Sequence, residues 1–155
     1  MRYCGIDGST SSTGIAIFDD KNLIFYDCIA PKSKDCDTRI KGIASRLSDI
    51  FDHYRPEQVF AEDVPLKDGK PTIKKLSTVR GVILTLCELY ESNLIFDSVA
   101  QWRHNAGFFG GSKDNLRRDV MKARAIAEVK RLFNIEVNDD IAEAILIGYR
   151  SVYPI

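Results

Sequence analysis

Arg2-Tyr3-Cys4-Gly5-Ile6-Asp7-Gly8-Ser9 reads as a short strand that ends on a carboxylate and breaks at once into Gly8-Ser9-Thr10-Ser11-Ser12-Thr13-Gly14. The apolar run of Tyr3, Cys4 and Ile6 is short and bounded by a turn signal, the mark of a buried strand. A carboxylate at the end of a buried strand is costly unless something pairs with it. Two pairings are open. Asp7 either caps the turn by accepting from amides of the Ser/Thr loop, or shares a divalent cation with other carboxylates. The chain does carry further carboxylates at comparable positions. Glu62 ends the run Gln58-Val59-Phe60-Ala61-Glu62, and Asp140 with Glu143 opens the last helical segment.

Outward from that strand, Gly14–Phe18 and Leu23–Ile29 are two more β-rich runs joined by short polar turns, so the first three strands form an antiparallel meander. Thr38–Tyr54 repeats apolar residues at Ile40, Ile43, Leu47, Ile50, Phe51 and Tyr54, the period of an amphipathic helix, with Asp37 as its N-cap and Pro56 past its end. Gln58–Glu62 is the fourth strand, followed by an exposed Gly/Lys-rich loop from Leu66 to Pro71. Thr72–Tyr90 is a long helix, Asn93–Val99 the fifth strand, and Trp102–Lys113 a Gly-rich stretch whose Phe108 and Phe109 either stack on bases or pack within the loop. Asp114–Phe133 is a basic helix packed through Leu116, Val120, Ala123, Ala127 and Phe133, and Asp139–Val152 closes the order. A meander followed by α/β crossovers gives one α/β domain over residues 1–155. It has a mixed five-stranded sheet, β1–β3 antiparallel with β4 and β5 parallel, flanked by helices. Right-handed crossovers set the fourth strand beside the first, so Asp7 and Glu62 fall within a few ångströms of each other.

At 155 residues the chain can bury a core without staples. No apolar run reaches the roughly 18 residues of a membrane span, and no signal core precedes the first strand, so no membrane partner is expected. The expected compartment is the cytoplasm, that of a bacterial host if the gene is phage-borne. Cys4, Cys28, Cys36 and Cys87 show no metal or redox spacing and read as reduced thiols, three of them in apolar runs. Formal net charge is zero, but its distribution is uneven. Lys67, Lys70, Lys74, Lys75 and Arg80 leave residues 66–85 at +4. Arg103, Lys113, Arg117 and Arg118, with Lys122, Arg124, Lys130 and Arg131, leave residues 101–131 at +5. A basic face beside an acidic pit suits a protein that grips phosphates and holds metal, and Lys67, Lys70, Lys74, Lys75, Arg80, Arg103, Lys113, Arg117 and Arg118 are the candidate DNA contacts. Solvated helix faces are the alternative for any one cluster.

In the last helix Asp140 and Glu143 are spaced i, i+3 and project from one face; Asp139 and Glu143, at i, i+4, do so as well, so the third position stays open between Asp139 and Asp140. A helix's first turn favours carboxylates on electrostatic grounds alone. Together with Asp7 and Glu62, however, the set makes four converging carboxylates, which cannot all stay ionised without cations. Two Mg²⁺ ions about 3.5–4 Å apart would neutralise them, with Mn²⁺ expected to substitute.

The pieces Gly5-Ile6-Asp7-Gly8-Ser9 with Thr13-Gly14, Ala61-Glu62-Asp63, Leu76-Ser77-Thr78-Val79-Arg80-Gly81-Val82 and Asp140-Ile141-Ala142-Glu143-Ala144 occur in this order along nearly the whole chain. The set resembles the RuvC family of Holliday-junction resolvases, within the RNase H-like (retroviral integrase) fold. The resemblance implies a homodimeric two-metal endodeoxyribonuclease that cuts branched DNA and leaves 5′-phosphate and 3′-hydroxyl ends. It further implies Asp7, Glu62, Asp140 and Glu143 as successive metal ligands and catalytic residues, and a functional lysine near Lys113. Two departures stand out: Glu143 where cellular members carry Asp or His, and no aromatic in the loop after Glu62. A phage-type member fits both. Two other functions remain in view. One is a catalytically idle branched-DNA-binding protein. The other is an ATP-binding fragment of the actin and sugar-kinase type, which the Asp7–Gly14 loop also resembles but which needs a second lobe. Trp102 reads as a core anchor, His53 as an exposed helix-end residue and His104 as a candidate phosphate contact.

Overall fold

The computed structural model of the chain describes residues 1–67, 69–108 and 117–155. Lys113, Phe109, Asp114 and Leu116, named above, and Asp68 lie outside the described residues. The strands are β1 (Arg2–Asp7), β2 (Thr13–Asp19), β3 (Asn22–Ile29), β4 (Gln58–Glu62) and β5 (Asn93–Asp97). The helices are α1 (Cys36–Tyr54), α2 (Lys70–Leu89), α3 (Val99–Asn105), α4 (Arg118–Phe133) and α5 (Asp139–Val152). The sheet order is β3-β2-β1-β4-β5. β1 pairs antiparallel with β2, and β2 with β3, while β1–β4 and β4–β5 are parallel.

Strand alternation divides the core between the two faces of the sheet. Cys4, Ile6, Ile15, Ile17, Val59 and Ala61 pack under α1 and α2. Tyr3, Ala16, Phe18 and Phe60 pack with Trp102, Met121, Ala125, Val129 and the apolar face of α5. The helix over the first strand sits unusually low. A Cβ on Gly5 would overlap the Ala144 carbonyl oxygen and stand 2.6 Å from the Gly148 nitrogen; one on Gly14 would overlap the Asp140 carbonyl. Glycine is required at both positions because the α5 backbone rests directly on β1 and β2.

Several local expectations need correction. Helix α1 starts at Cys36, and its N-cap is Asp35, not Asp37: Asp35 Oδ2 accepts from Thr38 N at 2.9 Å, the N-cap-to-N3 reach. Helix α2 begins at Lys70, because Pro71 is tolerated in the first turn, where its missing N–H is not needed. The stretch after β5 is not irregular throughout. Val99–Asn105 is a helix capped by Ser98, whose Oγ accepts from Gln101 N at 3.0 Å. Phe108 is buried against Trp102, with ring centroids 6.4 Å apart, and is not a free stacking platform. In α4 the buried stripe is Met121, Ala125 and Val129, while Ala123 and Ala127 face solvent. Met121, Ala125 and Val129 follow one another at i, i+4, i+8 on one face, and alanine costs little on the other. All four cysteines are free, and Cys28 is only half-buried. Among the described residues no helix is long and apolar enough to cross a membrane.

Candidate active site

Asp7 shares its strand parity with Tyr3, and Glu62 with Phe60, so both carboxylates point to the face covered by α5. Parallel pairing of Ile6 with Ala61 sets the next residue of each strand, Asp7 and Glu62, side by side at the C-terminal ends of β1 and β4. Helix α5 is capped by Asn138, whose side chain accepts from Ile141 N at 2.9 Å. Its low seat on Gly5 and Gly14 brings Glu143, one turn in, down to the strand ends. One carboxylate oxygen each of Asp7, Glu62 and Glu143 lie within 4.8 Å of one another.

This is an electrostatically costly cluster. Burial first, then Glu143 and Glu62, hold the Asp7 carboxyl well above the usual carboxylate range. Burial also pushes Glu143 up, against its bond with Asp7 and the nearby Arg103. Glu62 is raised by burial and by Glu143, against a bond from Trp102 and the charges of Arg103 and Arg118. The turn-capping alternative for Asp7 fails here. The loop is closed by Thr13, whose Oγ1 accepts from Ser9 N at 3.1 Å and donates to Ser9 O at 2.7 Å.

Asp140 lines the same cleft, but its Oδ2 accepts from Ser12 Oγ at 2.7 Å and lies 3.9 Å from Cys28 Sγ. Asp139 also lines the cleft and pairs with Lys122 at 2.7 Å. Neither joins the three-oxygen cluster among the described residues. Trp102 does more than fill the core: its Nε1 donates to Glu62 Oε2 at 2.8 Å. The one sequence signal for that contact is the capping box Ser98-x-x-Gln101, which starts the helix carrying Trp102.

The cluster floors an open cleft of about 860 Å³ whose walls include Lys67, Arg80, Arg103, Arg118 and Lys122. Arg80 is already engaged, bonded to Asp63 at 3.0 Å and stacked over Phe96 at 4.1 Å. Lys70, Lys74 and Lys75 are exposed along the first turns of α2, and Arg117 pairs weakly with Asp119 at 3.5 Å. His53 and His104 are exposed. The site therefore combines a hard, oxygen-only donor set with a rim of cations, which is the make-up of a metal-dependent phosphodiesterase.

A family model described as crossover junction endodeoxyribonuclease RuvC matches residues 3–148. The chain belongs to the RuvC family. It is accordingly a structure-selective endonuclease of DNA crossover junctions, a hydrolase of the RNase H-like fold. The RuvC of Dictyoglomus turgidum is 22% identical over 158 residues, covering 99% of this chain and 97% of that protein. The structure titled T. thermophilus RuvC in complex with Holliday junction substrate matches with a TM-score of 0.79 at 14% identity, over 99% of this chain and 94% of that one. Fowlpox virus resolvase, solved with Holliday junction DNA, matches with a TM-score of 0.58 at 18% identity over 99% of each chain. The RuvC fold thus accounts for the sheet order and for the four acidic positions lying around one cleft.

Proposed function

We propose that this RuvC-family chain resolves four-way DNA junctions by metal-assisted phosphodiester hydrolysis, with Asp7, Glu62, Asp140 and Glu143 holding two Mg²⁺ ions. The observation that carries this reading is the set of three carboxylate oxygens within 4.8 Å of one another. The donor set fits the ion: all oxygen, and with proton affinities raised first by burial and then by neighbouring carboxylates, a cost that a divalent cation would relieve. Bound there, the cations would supply Lewis-acid stabilisation of charge on the phosphoryl oxygens and a nucleophilic water at neutral pH. The chain's own residues do the rest. Glu62 and Asp7 hold their carboxylates on rigid strand ends, so little ordering remains to be done at binding. Asp140, which lines the same cleft and accepts from Ser12 there, would complete the acidic set. Arg103, Arg118 and Lys67 stand at the rim, where they meet the phosphate backbone on either side of the cut.

Resolution of a four-way junction needs two opposed cuts, and a two-fold dimer presents two equal sites to a near two-fold substrate. Leu84 and Leu89 are 44% and 70% exposed on α2, apolar surface that supports an isologous interface. Leu66, 85% exposed beside Lys67 in the loop after Glu62, faces the substrate without an aromatic ring, which supports weak sequence selectivity. Cleavage of end-labelled four-way and linear duplex DNA, with Mg²⁺ or with EDTA, tests the reading. The expected result is paired nicks near the branch point with Mg²⁺ alone. Binding without cleavage under every divalent cation would return the idle junction-binding protein.

A further inference from the structure

We propose that Trp102 is a positioning residue for the metal centre: its indole N–H fixes the Glu62 carboxylate in the orientation that receives a divalent cation. The inference rests on the metal reading above and deepens it. Nε1 donates to Glu62 Oε2 at 2.8 Å, and Trp102 is only 1% exposed. An indole N–H is a donor that cannot ligate a metal or change its protonation, so it orients a carboxylate without competing for the ion. Among the described residues, Glu62 is the member of the three-oxygen cluster whose carboxylate is held by a side chain from outside the acidic set.

The backbone brings the ring there by register. Glu62 pairs with Asp97, and Asp63 N donates to Asp97 O at 2.8 Å. Ser98 then caps α3, which delivers Trp102 one turn later onto the end of β4. The ring is wedged in place by Phe108 at 6.4 Å, while the Arg103 guanidinium lies 5.6 Å from its centroid. A wedged donor removes the rotameric freedom that Glu62 would otherwise lose at metal binding. Partners of this kind, one bond removed from the ion, are worth about 10- to 100-fold in metal affinity.

The chain has one tryptophan, so growth on β-(3-benzothienyl)alanine replaces this N–H alone with a sulfur of similar shape. That protein and Trp102→Phe are compared with wild type by calorimetric titration with Mn²⁺ and by the Mg²⁺ dependence of junction cleavage. The expected result is Mn²⁺ affinity weakened about 10-fold or more, a matching rise in the Mg²⁺ needed for half-maximal cleavage, and kcat at saturating Mg²⁺ within about 3-fold of wild type. If Trp102→Phe does not fold, the isosteric protein decides. Wild-type Mn²⁺ affinity in the isosteric protein would overturn the inference, as would a fall in kcat with unchanged metal affinity. A wild-type chain that binds no Mn²⁺ would instead remove the metal reading, and this inference with it.

Discussion

Asp7→Asn should make the metal-free protein more stable, although it removes a central functional group. Two unit charges held within 4.8 Å of each other repel by about 3.5 kcal/mol or more at an effective dielectric of about 20. Asp7 escapes part of that cost by keeping its proton to unusually high pH, against burial, Glu143 and Glu62. The penalty left is a fraction of that repulsion, and for a domain of this size each 1 kcal/mol of it corresponds to roughly 2–4 °C in Tm. The sign with pH follows from linkage. The folded-state pKa lies above the unfolded one, so the penalty is absent below the ordinary carboxylate range near about 4. It grows as pH rises towards the folded value and is constant above it. Glu62 and Glu143 are displaced in the same direction and act alike. Thermal unfolding in EDTA between pH 4 and pH 8 should therefore show the two proteins converging in acid and Asp7→Asn ahead at pH 8. Mg²⁺ at 100 times its Kd should raise wild type by about 2.7 kcal/mol, roughly 5–10 °C, and leave the variant unmoved, inverting the order. Equal or lower Tm for Asp7→Asn in EDTA at pH 8 would refute the reasoning.

Gly5→Ala, whose Cβ would run into the Ala144 carbonyl, should cost about 3 kcal/mol or more and lower cleavage even where the protein is folded, because it lifts α5 and Glu143 off the strand ends; Tm and activity at low temperature measure the two effects. Charge reversal at Arg117 with Arg118 should weaken junction binding and reduce the slope of log K against log salt by about 1–2; an unchanged slope would take these residues off the DNA path. Leu84→Glu should shift sedimentation from dimer to monomer at micromolar concentration, and a folded variant that still dimerises would move the interface elsewhere.

The central strands were legible because each is a short apolar run that ends at a turn signal: Gln58–Glu62 and the helix Asp139–Val152 stand where the residues put them. The meeting of Asp7, Glu62 and Glu143 was legible from strand order and helical spacing together, and the three oxygens do converge. Other features could not be read at that level. A seven-residue helix is too short to show a period, so the strand reading runs on to Val99, Trp102 falls in a Gly-rich stretch, and the Trp102–Glu62 bond has no local sign. The stripe of α4 is hard to read because alanine fits either face: Ala125 is buried between Met121 and Val129 while Ala123 and Ala127 are exposed. The i, i+3 spacing puts Asp140 and Glu143 on one face, but it cannot tell that Ser12, 128 positions away, captures Asp140. Such a contact depends on the loop's tertiary placement and has no local signature.

The central claim is that the strand-end and helix carboxylates do the chemistry while the basic rim does the binding. Its most direct measurement is single-turnover cleavage of a labelled four-way junction by Asp7→Asn at saturating Mg²⁺, beside the variant's Kd for the same DNA. The account predicts a loss of at least about 1000-fold in rate, some 4 kcal/mol of transition-state stabilisation, with Kd held within about 3-fold because phosphate contacts supply most of the affinity. Cleavage by Asp7→Asn at the wild-type rate would contradict it.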